Sequence, residues 1–222
     1  MHPWPLRPNY PLCKFPILLA AGLAALLWTQ GCSRHATPPG AETADHAASG
    51  AQTLPQAVPP GNGSRGSAAG VSWSASPSWE LAPERPMRVA TYRIPAVSAD
   101  EQDAECAVFF FGGSQGGSVE ANIQRWQGQF ANEEGSPAFG ESHRATREIH
   151  GLAVTTIDIY GTYLFSPTPM SPQKIPKPGY RMLGAIIEAP GGNVFFKLTG
   201  PEATVAASAP GFESLLQSLE RS

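Results

Sequence analysis

The period with which apolar residues recur separates strand-like from helix-like stretches along this chain. Ala90, Tyr92 and Ile94 alternate with Thr91 and Arg93, which predicts a half-buried strand ended by Pro95. Ala104 to Phe111 runs through Cys106, Ala107, Val108, Phe109 and Phe110 with hardly a polar residue, as a central strand covered on both faces does. After Gly112-Gly113-Ser114-Gln115-Gly116-Gly117, the spacing of Val119, Ile123, Trp126 and Phe130 predicts one apolar helix face. Ser118 is the expected N-cap, and Glu120 sits favourably in the first turn. His143 to Ile149 and Leu152 to Tyr163 read as two strands around a His150-Gly151 turn. Ser166 to Gly179 is expected to be a loop, because Pro167, Pro169, Pro172, Pro176 and Pro178 lack the backbone donor a sheet needs. Leu183 to Ala189 and Val194 to Leu198 predict a hairpin turning through Pro190-Gly191-Gly192-Asn193. Phe212, Leu215, Leu216 and Leu219 predict a C-terminal helix, broken at Pro210 from a short Glu202 to Ser208 turn. Paired strands joined by short turns favour an α+β fold, a mainly antiparallel sheet of about six strands covered by two helices.

The N-terminal stretch follows neither pattern. Arg7 and Lys14 precede an uncharged apolar run, Phe15 to Trp28, too short for the ~20 residues of a bilayer span and suited to a secretory signal. Thr29-Gln30-Gly31-Cys32 then resembles a bacterial lipoprotein lipobox, with Thr29 and Gln30 where an aliphatic and a small residue are usual. The resemblance implies that residues 1–31 are a lipoprotein signal peptide and that the Cys32 thiol is the lipid attachment, receiving a diacylglycerol with acyl chains such as palmitate. An ordinary secretory signal cut nearby is the alternative. Ser33 is not the Asp that marks inner-membrane retention, so a periplasm-facing lipoprotein of the outer membrane is expected. From Ser33 to Gly70 the chain holds five Pro, six Gly and nine Ala, with only Leu54 and Val58 as large aliphatics. So little to bury cannot offset chain entropy, so residues 32–70 are expected to form a disordered Pro/Gly/Ala-rich tether. Residues 71–222 remain as a single α+β domain.

Composition then removes classes of function. With 15 Lys+Arg against 18 Asp+Glu the net charge is -3, which argues against nucleic acid as a partner. Three cysteines exclude a disulfide scaffold, and Cys106 alone falls in the folded part, where its apolar strand makes it a buried small hydrophobe. His143 and His150 lack a third ligand of fixed spacing, so neither a metal nor any other cofactor is expected. Trp73 and Trp79, either side of Pro77, fit core packing better than stacking on a sugar. Asp158, between Ile157 and Ile159, reads as a buried carboxylate satisfied by a neighbouring Thr or Tyr.

The glycine stretch is the one place where chemistry is conceivable. Gly112-Gly113-Ser114-Gln115-Gly116 satisfies G-x-S-x-G between a strand and a helix, the setting of a nucleophile elbow on Ser114. A triad then needs an acid and a histidine further on, yet no histidine follows Asp158, leaving only Glu120, Glu133, Glu134 or Glu141 with His143 or His150. The second possibility is an anion cradle at the helix N-terminus, with Gly116, Gly117, Asn122 and Arg125 as candidate ligand-binding residues.

Asn193-Val194-Phe195-Phe196-Lys197-Leu198-Thr199-Gly200-Pro201, leading into a helix with Phe212, Leu215, Leu216 and Leu219, resembles the last strand and helix of PsbP-like α/β/α sandwiches. That group includes an extrinsic photosystem II subunit and nuclear import factors that bind the small GTPase Ran. The resemblance implies an adaptor without catalysis. The resulting expectation is a lipid-anchored extracytoplasmic binding or assembly module, attached to the membrane through Cys32 and engaging an envelope protein. A serine hydrolase using Ser114, or capture of a small anionic ligand at the glycine turn, is the alternative.

Overall fold

Strand β10 (Gly192–Pro201) lies inside an antiparallel sheet, with β5 (Ala104–Phe110) along one edge and β9 (Ile175–Ala189) along the other. The computed structural model describes residues 64–97, 102–113, 115–132, 135–137, 142–168 and 171–222. The predicted signal peptide, Cys32 and the tether up to residue 63 lie outside the described residues. Beyond β5 the sheet continues through β4 (Ala90–Ile94) and β3 (Glu80–Leu81). Beyond β9 comes β8 (Leu152–Phe165), whose far edge is shared by β7 (Ser142–Ile149) and β6 (Phe130–Ala131). This sheet has eight strands among the described residues, more than the six or so expected, because β3 and β6 are too short to show a period. A second, three-stranded sheet joins β1 (Arg65–Ala68), β2 (Val71–Ser74) and β11 (Glu220–Arg221).

Strand alternation assigns the two faces of the large sheet. Cys106, Val108, Phe196, Leu198 and Leu183 point to one face, where helix α2 (Glu202–Gln217) covers them with Val205, Phe212, Leu215 and Leu216. Val71 and Trp73 of the small sheet close the same core. The Trp73 indole donates to the Tyr92 hydroxyl at 2.9 Å and meets Phe196 edge-on at 5.0 Å, so this tryptophan is core, as its sequence setting suggested. Phe195, Ile186, Ile157 and Met182 point to the other face, under Ile123 and Trp126 of helix α1 (Val119–Gln127). The molecule is thus α+β, a mainly antiparallel sheet with a helix on each face. Gly184 makes the α1 contact possible: a methyl there would lie 2.5 Å from the Trp126 ring, so the helix can approach only a bare backbone.

Four expectations need correction. Residues 65–68 are strand β1, although the tether was expected to run to Gly70; Gly66 lies directly against the Trp73 indole, and a bulkier residue would not fit. Pro176 and Pro178 lie inside β9, not in a loop. β10 reaches only to Tyr180, so this part of β9 has β8 as its one neighbour and a free edge on which prolines cost no ladder bond. Helix α2 runs unbroken through Pro210, whose ring is on the exposed side while Ala209 and Phe212 stay buried, so water can satisfy the freed Ala206 carbonyl. Helix α1 stops at Gln127, capped by Gly128, and Phe130 reaches the same cluster from β6.

Candidate functional site

Helix α1 begins as its sequence predicts, with the Ser118 hydroxyl accepting from the Ala121 N–H at 3.2 Å and Glu120 in the first turn. The glycine turn before it is tied down by Asn122. This buried side chain donates to the Gly116 carbonyl at 2.7 Å and the Ser118 carbonyl at 2.9 Å, while its Oδ1 accepts from Arg125 at 2.7 Å. Both amide protons of Asn122 therefore serve the turn. Gly116 takes φ +93° against the rings of Phe111 and Phe195, each 3.0 Å from where a side chain would start, so this position requires glycine. Gly117 follows at φ +82°. Gly116, Gly117, Asn122 and Arg125 are thus brought together, as a structural knot at the helix entrance.

Ser114 lies outside the described residues. Of its possible partners, His143 sits exposed on the edge strand β7, and His150 donates from Nδ1 to the Leu219 carbonyl at 2.7 Å, pinning the turn to the C-terminal segment. Cys106 is buried, and burial pushes its thiol above the ordinary range. Asp158 is fully buried and accepts from Tyr160 at 3.0 Å, the kind of partner expected. Its second partner has no signal in local sequence: Arg181 of β9 grips it with two bonds, at 2.9 Å and 2.8 Å. Among the described residues no three His, Cys, Asp or Glu side chains gather as metal ligands.

A second polar constellation stands on the α1 face of the sheet, and the register shows how it arises. Cross-strand neighbours there form successive rows. Phe109, Phe195, Ile186 and Thr155 make the first row, which is mainly apolar and lies beside Ile123. Thr91, Ala107, Lys197, Gly184 and Ile157 make the second. Arg93, Glu105, Thr199, Met182 and Ile159 make the third. The short α1 covers the first row and the Gly184 end of the second; Ile157, Ile159 and Met182 are buried as well, and the charges Lys197, Glu105 and Arg93 stand toward the β4–β5 side.

Lys197 is the centre of that area. Its ammonium donates to Gln129 Oε1, which the turn after α1 carries, and to the Tyr163 hydroxyl at 3.5 Å, with its Nζ 5.1 Å from the centre of the tyrosine ring. Burial, and after it the positive charge of Arg88, pull the Lys197 pKa down to about 8, with Glu105 opposing. Glu105 is itself held by Arg88 at 2.6 Å and Arg85 at 2.9 Å, and Arg88 lies over the Phe109 ring. Tyr163 stacks on Tyr180 with centroids 6.0 Å apart and planes 15° apart. The Tyr180 hydroxyl donates to Gln102 at 2.8 Å, and Lys177 reaches the same ring. Sequence reading missed this group because Val194, Phe196 and Leu198 define the apolar face of β10 and leave Lys197 looking solvated. The available signal was Phe195, which shares the face of Lys197 and marks it as covered.

No family model and no curated protein matches the chain. Among solved structures it is similar to the cyanobacterial PsbP protein CyanoP from Synechocystis sp. PCC 6803, with 11% identity, a TM-score of 0.44, and coverage of 78% of this chain and 99% of that chain. It is also similar to PA94 from Pseudomonas aeruginosa, a protein of unknown function, with 15% identity, a TM-score of 0.37, and coverage of 63% of this chain and 94% of that chain. In this chain a mainly antiparallel sheet carries one helix on each face.

Proposed function

We propose that the protein is a non-catalytic extracytoplasmic binding or assembly module, held at the membrane by acyl chains on Cys32 and engaging envelope proteins. The observation that supports it most is the polar and aromatic group of Arg88, Glu105, Tyr163 and Tyr180 around the buried Lys197, which reaches the surface at Arg88 and Glu105 beyond a helix of nine residues. Rings beside arginine side chains suit contact with a partner, since aromatic and arginine side chains dominate binding energy at interfaces. Two of the described candidates for chemistry have structural duties, His150 on the Leu219 carbonyl and Cys106 within the core. Among the described residues no helix is long and apolar enough to cross a membrane, and the leader pattern before Cys32 supports attachment by lipid.

Fatty-acid labelling in intact cells tests the attachment. Label is expected on the native chain and absent from Cys32→Ser, which should also leave the membrane fraction; an unlabelled native chain overturns it. Crosslinking in the same cells is expected to capture one dominant envelope protein, with the crosslinks falling on the Lys197 side. Ester turnover that disappears in Ser114→Ala would replace this reading with a hydrolase.

A further inference from the structure

Two unmet requirements stand side by side on β10. Lys197 and Thr199 are two residues apart and point to the same face of the sheet. No carboxylate among the described residues pairs with Lys197 within 4.0 Å, and the partners it has, Gln129 and Tyr163, are neutral. The one acid close by, Glu105, is already shared by Arg85 and Arg88. An ammonium has three protons to give, and two of them are placed. The Thr199 hydroxyl is buried and has no hydrogen-bond partner. Each of these costs free energy, because a buried charge without a counter-ion and a buried hydroxyl without a partner both lose their hydration for nothing.

We propose that Lys197 and Thr199, framed by Arg88, Tyr163 and Gln129, form a site for the anionic group of a small ligand, a carboxylate or a phosphate. One oxyanion answers both needs at once, accepting from the free ammonium proton and from the Thr199 hydroxyl. Of the neighbours of Lys197 across the strands, Ala107 carries only a methyl, whereas the space over Gly184 is taken by the Trp126 ring, so the anion would lie on the β5 side. Access is from the side of Arg88 and Glu105, whose side chains are 22% and 38% exposed. The stacked rings of Tyr163 and Tyr180 offer an apolar wall to the body of the ligand. The placement differs from the glycine turn, where the donors of Asn122 are spent on loop carbonyls.

Protonation adds a second signature. The groups facing Lys197 are Arg88, Glu105 and Tyr163, with Tyr180 and Lys177 at the margin. A lysine brought down to about 8 loses its charge on mild alkalinisation, so affinity should fall as pH rises above that value.

This inference rests on the reading of the domain as a binding module and not on the anchor, so the test uses the full chain carrying Cys32→Ser. Calorimetric titration with inorganic phosphate and with acetate is expected to show saturable binding that weakens with rising pH. Lys197→Met should weaken it about tenfold or more, the effect of losing one charged hydrogen bond. Thr199→Val keeps the side-chain shape, relieves the orphan hydroxyl and should weaken binding about threefold or more while leaving the melting point equal or higher. Saturation by free phosphate or acetate assigns a soluble anion. Lys197-dependent capture by phosphatidylglycerol vesicles, with none by phosphatidylcholine, assigns a lipid headgroup. Absence of saturable binding in all these arms, or equal binding by both variants, overturns the site. Loss of binding here leaves fatty-acid labelling of the native chain unaffected, so the two readings fail separately.

Discussion

Lys197 shows how a single side chain can couple stability to pH. Its ordinary pKa of 10.5 is lowered to about 8, first by burial and then by Arg88. A cationic group with a depressed folded value is penalised by folding as long as it is protonated in both states. That penalty is complete below pH about 8 and lifts as pH rises toward 10.5, because the unfolded chain then binds the extra proton. Wild-type stability should therefore gain across this window relative to Lys197→Met. Denaturant midpoints on either side of the window measure the difference, and parallel curves for the two proteins would show that Lys197 titrates as if exposed. The residue scale is also where sequence reading is weakest. Lys197, Arg181 and Gln129 look like ordinary surface positions until β5, β8 and β9 converge on them, because their partners lie 34, 23 and 68 residues away.

At the scale of elements, most of the architecture was legible. The alternation in β4, the apolar run of β5 and the spacing of Ile123 and Trp126 each reported a face that is buried as expected. What escaped was governed by neighbours and not by local preference. Pro176 and Pro178 could join β9 only because β10 stops short of them, and β1 exists because Gly66 can rest on Trp73. Pro210 is the clearest case: tertiary packing of Val205, Ala209, Phe212, Leu215 and Leu216 holds α2 together across a residue that breaks isolated helices. Pro210→Ala restores the bond to the Ala206 carbonyl and is expected to stabilise the protein by about 1–3 kcal/mol, up to the usual cost of proline within a helix. Chemical denaturation measures it; a loss of stability instead would mean that the exposed ring contributes packing.

The whole molecule is a large sheet with unequal covers. On one side α2 and the small sheet complete a continuous core, and on the other α1 leaves the charges of Arg93 and Glu105 exposed at the β4–β5 end. The small sheet is part of that core, since β1 flanks β2 and covers the Trp73 indole. A chain shortened to begin at Val71 should therefore be less stable than one beginning at Ser64, by about 1–3 kcal/mol for the apolar surface uncovered. Thermal melts of the two chains decide it, and equal midpoints would make β1 a bystander. The candidate site was not legible at this scale either: the glycine stretch drew attention because glycines stand out in a sequence, whereas the Lys197 group needs four strands and a helix turn to exist.

Strand β11 has a practical consequence. It pairs with β2 next to β1, Glu220 meets Arg65, and the Ser222 N–H donates to the Gly70 carbonyl. The first and last strands described here therefore flank β2 on the fully covered side. A fluorescent reporter fused after Ser222 would crowd the β1–β2 turn at Gly70 and hinder whatever approaches from there, while the opposite surface stays clear for any visitor.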